Sequence, residues 1–324
     1  MRLYRTIIAA ALLLCAGLLT PSAVRAADNV SVGTVGSASS NLWPVFIGMK
    51  KGFFTEANLN VDIVYVQSSA NLVQQLAAGS LDICMSTGLV DPIRAIDQNA
   101  GISIVRFEAQ APPYALVAKP AIKKLADLKG KVISVGGPKD ITRIYVERML
   151  APHGVKPGEF DMVFAGATSA RAQALLGGAV DAAILLPPFN FQAETQGFNN
   201  LGLTIEYAPE LPFSGTVINR NWAAKNGPVV QRILSAHSKS VAWFYDPKNR
   251  AEAVAMMAEA SKIKTEDVEK SYDFFVKGKY FEPTGVTSRK KLNALVAAMQ
   301  QLGDLPTPFD TEQLALQGVT KLGD

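Results

Sequence analysis

Apolar positions along the chain follow two alternating rhythms. Short runs rich in Val and Ile predict strands over 30–35, 61–66, 81–85, 102–107, 115–118, 132–135, 162–164, 182–186 and 216–219. Apolar residues at three- and four-residue spacing predict helices between many of them, over 45–57, 71–78, 91–98, 141–150 and 170–176. Strand–helix alternation of this kind predicts parallel sheets with helices on both faces. From Pro228 onward the strand signal almost vanishes, and helices are expected over 229–245, 250–260, 265–276 and 289–301.

One pattern occurs twice. Residues 74–82 read Gln-Gln-Leu-Ala-Ala-Gly-Ser-Leu-Asp, and residues 173–181 read Gln-Ala-Leu-Leu-Gly-Gly-Ala-Val-Asp. The shared form, Q-x-L-x-x-G-x-[LV]-D, reads as a helix end. A glycine takes the left-handed position, and an apolar residue and an aspartate then lead into a buried strand. Each copy follows another predicted strand, so the repeat argues for two similar α/β lobes.

Composition narrows the class. The chain has 324 residues, of which 48% are apolar and 19% charged. That supports a large core and excludes a disordered chain. Arg2 and Arg5, an apolar run over 7–19 and the small residues of Val24-Arg25-Ala26 predict a signal peptide over 1–26. The run is short for a permanent anchor, so export to the periplasm with cleavage near Ala26 is expected. Without Arg2, Arg5 and Arg25 the chain carries 29 basic and 28 acidic residues. So balanced a charge argues against a nucleic-acid partner. Cys84 is then the lone cysteine, expected as a small buried hydrophobe.

Several stretches in order resemble a known family. Trp43-Pro44 leads into Lys51-Gly52-Phe53-Phe54 and Asn58-Leu59-Asn60-Val61. The 78–83 run Ala-Gly-Ser-Leu-Asp-Ile follows, then Leu125-Ala126-Asp127-Leu128-Lys129-Gly130-Lys131 and the run from Val132 to Gly137. Over residues 30–245 the chain is similar to the ABC-importer binding proteins of the nitrate, sulfonate and taurine type, which share a fold with thiamine-precursor proteins. Asn58 departs from the pattern, standing where that family usually has glycine. The resemblance implies a type II periplasmic binding protein, with two α/β lobes joined by two crossing strands and a helical C-terminal tail on the first lobe. Residues 27–110 would open the first lobe, 111–220 would form the second, and 221–324 would return to the first lobe and add the tail. Runs 115–118 and 216–219 would sit near the crossings. A small-molecule ligand would bind in the cleft of a monomer, for delivery to a membrane permease with its separate ATPase. No cofactor is implied.

Ligands of open α/β sheets bind beyond the carboxyl ends of strands, where helix N-termini present free N–H groups. That rule selects loops from the sequence alone. After the first strand, Ser39, Ser40 and Asn41 could donate hydrogen bonds and Trp43 could stack on a ligand; capping and core packing explain them equally well. Ser68 and Thr87 stand at comparable helix starts, with the same two readings. In the second half, Gly137, Lys139, Asp140, Thr142 and Arg143 follow a strand. Glycine there admits a close ligand, and Lys139 or Arg143, expected on one side of the helix, would attract an anion unless both are solvated surface charges. Thr168 opens a further helix, Phe189 follows two prolines as a cleft floor or a core residue, and Gln110 lies near a crossing.

Nothing marks an enzyme. His153 and His237 lack partners at metal-ligand spacing, and neither a Gly-x-Ser-x-Gly elbow nor a dinucleotide fingerprint is present. The expected ligand is a sulfonate, a carboxylate (aromatic or not) or nitrate, with a neutral pyrimidine-like heterocycle, bound or processed, as the alternative. Delivery to a sensor instead of a permease is the other route for a binder.

Overall fold

In a computed structural model the described residues are 26–323; the expected signal peptide falls almost wholly outside them. The first lobe runs β1 (Asp28–Val35), α1 (Trp43–Lys50), α2 (Phe53–Glu56), β2 (Leu59–Val66), α3 (Ser69–Ala77), β3 (Ile83–Gly88), α4 (Val90–Asp97) and β4 (Ile102–Ala109). The chain then crosses to β5 (Ala115–Ala118), β6 (Val132–Val135), α5 (Ile141–Leu150), β7 (Asp161–Phe164), α6 (Thr168–Leu176), β8 (Ala182–Leu185), α7 (Phe189–Thr195) and β9 (Asn199–Leu203). It returns through 204–213 to β10 (Ser214–Asn219). The tail follows as α8 (Arg220–Lys225), α9 (Gly227–Tyr245), α10 (Arg250–Ser261), α11 (Thr265–Gly278), β11 (Val286–Ser288), α12 (Arg289–Gln301) and β12 (Lys321–Gly323).

Two five-stranded sheets have the same plan. Their orders are β2-β1-β3-β10-β4 and β7-β6-β8-β5-β9. In each, three parallel strands are followed by an antiparallel strand, β10 or β5, that comes directly after a crossing between the lobes. The expected two-lobed α/β architecture is therefore present. β10 belongs to the first sheet, so the return falls at Ser214, ahead of the expected boundary at 220.

The repeat explains the equivalence. Gly79 and Gly178 both hold left-handed backbone, with φ of 77° and 79°. Asp82 then accepts from the backbone N–H of Ser31 at 2.8 Å, and Asp181 accepts from that of Val132 at 3.1 Å. In each lobe the aspartate thus ties the start of the central strand, β3 or β8, to its parallel neighbour, β1 or β6.

Strand β5 shows why the runs are apolar throughout. Leu116 and Ala118 join one hydrophobic cluster, Ala115 and Val117 the other, so the strand is buried on both faces. Cys84 is buried in β3. The tail packs chiefly on the first lobe, with α9 and α10 against α1, while α11 reaches α7 of the second.

Three expectations need revision. The helix expected over 45–57 is two helices, because Gly52 turns left-handed with φ of 73°. Asn58, in the usual glycine place, is also left-handed with φ of 55°, a conformation Asn tolerates better than most residues. β9 escapes a pattern search because Asn199 and Asn200 are polar; pairing with β5 makes it an edge strand. The stretch after Pro188, where spacing predicts no helix, becomes α7.

Candidate functional site

The carboxyl ends of both sheets point at a common gap, as the strand-end rule requires. There the lobes enclose a cavity of about 280 Å³. The loops after β1, β2 and β3 form one wall, those after β6, β7 and β8 the other, and Tyr114 and Phe213 enter from the two crossings.

Of the residues singled out from sequence, Ser39, Asn41, Ser68, Gly137, Lys139, Asp140 and Thr168 line this cavity. Several also cap helices. The Ser68 hydroxyl accepts from the Asn71 N–H at 3.3 Å, and Asp140 accepts from the Thr142 N–H at 2.9 Å. Lining and capping coexist because a helix N-terminus facing the gap presents its cap there as well.

The other seven lie elsewhere. Trp43 is core: fully buried, it donates from Nε1 to the Ala253 carbonyl at 2.7 Å and packs on Phe244, Tyr272 and Phe275. Phe189 is core at the start of α7. Ser40 is buried behind the wall, and its N–H donates to the Pro187 carbonyl of the other lobe at 2.8 Å. Thr87 is fully buried beside Ser69, with the two hydroxyls 3.3 Å apart. Gln110 donates to the Lys279 carbonyl at 3.1 Å. Thr142 clasps its own loop, accepting from the Gly136 N–H at 2.8 Å and donating to Asp140 at 2.5 Å. Arg143 turns outward to Glu147 at 2.8 Å and to the Pro138 carbonyl at 3.0 Å. Lys139 and Arg143 do not share a side because α5 begins at Ile141, after Lys139, so helical spacing does not relate them.

The residue that stands out was not anticipated. Arg171, 3% exposed, lies on the second-lobe wall inside α6. Its guanidinium donates to the Ile184 carbonyl at 2.8 Å, to Thr168 Oγ1 at 2.7 Å and to the Gly166 carbonyl. The Tyr114 ring is 5.8 Å away. Each of these acceptors is neutral, and among the described residues no carboxylate forms an ion pair with it. The repeat carried a signal for it: Arg171 stands where the other copy has Leu72, which is fully buried. An arginine in a leucine's place marks a departure from plain core packing. The equivalent hydroxyl positions, Ser69 and Thr168, both line the cavity.

Acids are present too. Burial raises Asp91 above the usual aspartate range, and the Asp140 carboxylate of the other lobe adds to the shift. Asp91 pairs with Arg94 at 2.7 Å, and Arg94 reaches across the gap to the Lys139 carbonyl at 2.8 Å. Lys139 in turn stands 3.5 Å from Asp304 of the tail. With the Ser40–Pro187 bond, these contacts draw the lobes together. Burial also pushes the Tyr114 hydroxyl up, so it is protonated at neutral pH.

Comparisons with known proteins agree with the architecture. The NMT1/THI5 like family matches residues 39–251. YtlA of Bacillus subtilis, whose name calls it a binding protein, is 21% identical over 277 residues, covering 84% of this chain and 83% of its own. Among solved structures, the alkanesulfonate-binding protein SsuA from Xanthomonas axonopodis, bound to MOPS, superposes with a TM-score of 0.73 at 18% identity, covering 91% of this chain and 98% of that one. The periplasmic nitrate-binding protein NrtA from Synechocystis gives 0.72 at 15% identity, covering 88% and 84%. At these identities the two structures establish the periplasmic binding protein fold.

Proposed function

Because the chain belongs to the NMT1/THI5-like family, we propose that it captures a small organic anion between its lobes and delivers it to an ABC importer from the periplasm. The observation that carries this reading is Arg171, a buried cation on the cavity wall that lacks a carboxylate partner among the described residues. A buried charge is stable when an opposite charge meets it, and a sulfonate or carboxylate does so with the geometry a guanidinium fork prefers. Thr168 and Gly166 hold the fork through two of its nitrogens, and Tyr114 backs it, so it is oriented before ligand arrives. The two named solved structures are an alkanesulfonate-binding and a nitrate-binding protein, and YtlA is named a binder, which supports an anionic ligand.

The chain acts as a binder in this reading: ligand bridges both walls, the closed form is populated, and the permease with its ATPase receives it. A thermal-shift screen over sulfonates, carboxylates, nitrate and pyrimidines tests the class. Arg171→Gln is expected to weaken binding of acids by roughly tenfold to a hundredfold while leaving any neutral ligand unaffected. Stabilisation by pyrimidines alone, or turnover of a bound compound, contradicts it.

A further inference from the structure

We propose that Asn41 selects ligands that carry an N–H or O–H donor, and that Glu108, behind the cavity wall, is a positioning residue acting on Asn41 through Ser86. The inference rests on the cleft being the anion site proposed above.

Asn41 lines the first-lobe wall and is 4% exposed. Its Nδ2 donates to the Ser86 carbonyl at 3.3 Å. A carbonyl can only accept, so this contact fixes which way the amide faces. The amide oxygen is left buried, with no partner among the described residues. An acceptor in that state is a cost that a ligand donor relieves. The sequence suggested Asn41 as a donor; the structure leaves its acceptor unpaired instead. Across the gap, Arg171 takes the anionic end. Asp91 and Asp140, close enough to repel each other, add a second reason for a donor between the walls. The cavity therefore fits an acid bearing a hydroxyl, amide or amine better than a bare acid.

The support behind Asn41 is built from unusual parts. Ser86 lies within β3, on the cavity wall, with left-handed backbone, φ 54°, which a serine adopts at a cost. Its hydroxyl is 2.5 Å from Glu108 Oε2 and 2.9 Å from the Asn41 carbonyl. Its single proton goes to the carboxylate, the stronger acceptor. The Thr216 hydroxyl donates to the other carboxylate oxygen, and His237 of α9 lies 3.6 Å behind. Glu108 itself is 1% exposed. Glu108 thus holds the Ser86 turn, and the Ser86 carbonyl holds the Asn41 amide.

Calorimetry with matched acids tests both parts: ethanesulfonate against 2-hydroxyethanesulfonate, and benzoate against 4-aminobenzoate. In at least one pair the wild-type chain is expected to favour the donor-bearing acid by roughly tenfold. Asn41→Ala should bring that ratio near unity and still bind the plain acid. Glu108→Gln, shown folded by circular dichroism, should lose the same selectivity, whereas a merely structural role would weaken both members alike. Ser86→Gly keeps the left-handed turn and removes the hydroxyl, so it reads the linkage even if Glu108→Gln fails to fold. Equal affinities in every pair, or a ratio that survives Asn41→Ala, overturns the role of Asn41. An unchanged ratio in Ser86→Gly overturns that of Glu108. If no acid binds at all, the anion reading falls and this inference with it; if plain acids bind without discrimination, this inference alone fails.

Discussion

Arg171 and Trp43 show how the same residue-level reasoning can succeed at one position and miss at another. Trp43 directly follows a stretch that meets the sequence criteria for a cleft loop, yet it opens α1, and its ring has three aromatic neighbours in the core and a carbonyl for its N–H. An aromatic beside the site is drawn inward by the apolar area it buries, and the sequence does not show which way it turns. Arg171 lay hidden inside a helix, and the comparison with Leu72 would have exposed it. Among buried titratable groups, His237 makes a prediction. Burial pushes it below 6.5 despite the pull of Glu108. The unfolded chain then takes up this proton more readily, so protonation costs the folded state as pH drops through 6.5. Glu108 works in the same direction at lower pH. Burial favours its protonation, but His237 and the hydroxyls of Ser86 and Thr216 outweigh that and bring it to about 2, so its stabilisation is lost from 4.5 downward. Urea unfolding is expected to show stability falling below neutrality. His237→Gln should flatten the part of that curve just below 6.5. A variant with the wild-type slope would contradict the account.

The elements follow closely from local chemistry. Helix α5 and strands β5 and β6 were legible to the residue, because apolar periodicity and packing demand coincide there. β9 was not legible, since backbone pairing alone makes Asn199 and Asn200 extended. Nor was α7, whose leading prolines resembled a loop. The repeat joins element to lobe, and it can be tested in both copies. Gly79 and Gly178 occupy left-handed backbone after α3 and α6. Alanine at either position has room, since nothing crowds Gly178 and the nearest atom to a side chain at Gly79 lies 4.0 Å away. Only the backbone conformation is penalised, and each substitution should cost about 1 kcal/mol. The sites lie in different lobes, so the double variant should cost about the sum. Denaturant melts of the two single variants and the double variant measure this, and a neutral effect at both sites would contradict the helix-end reading of the repeat.

For the molecule as a whole, the two sheets built on one plan make the cleft a consequence of topology: strand ends of both lobes point into one gap. The lobe plan was readable from alternation and the repeat, while the contacts between lobes were not, since they join residues far apart in sequence. Those contacts hold the two lobes against each other. Ser40 bonds Pro187, Arg94 bonds the Lys139 carbonyl, and a side chain on Gly166 would collide with the Gln67 carbonyl of the other lobe. Gly166 is also left-handed, with φ 67°. Gly166→Ala is therefore expected to keep the lobes apart and weaken ligand binding. Small-angle X-ray scattering of the wild-type chain, with and without a saturating acid from the screen, tests the closure claim most directly. The account predicts a smaller radius of gyration on saturation, and a ligand-bound Gly166→Ala that stays as wide as the free protein. Calorimetric saturation with no change in the wild-type scattering curve would contradict it.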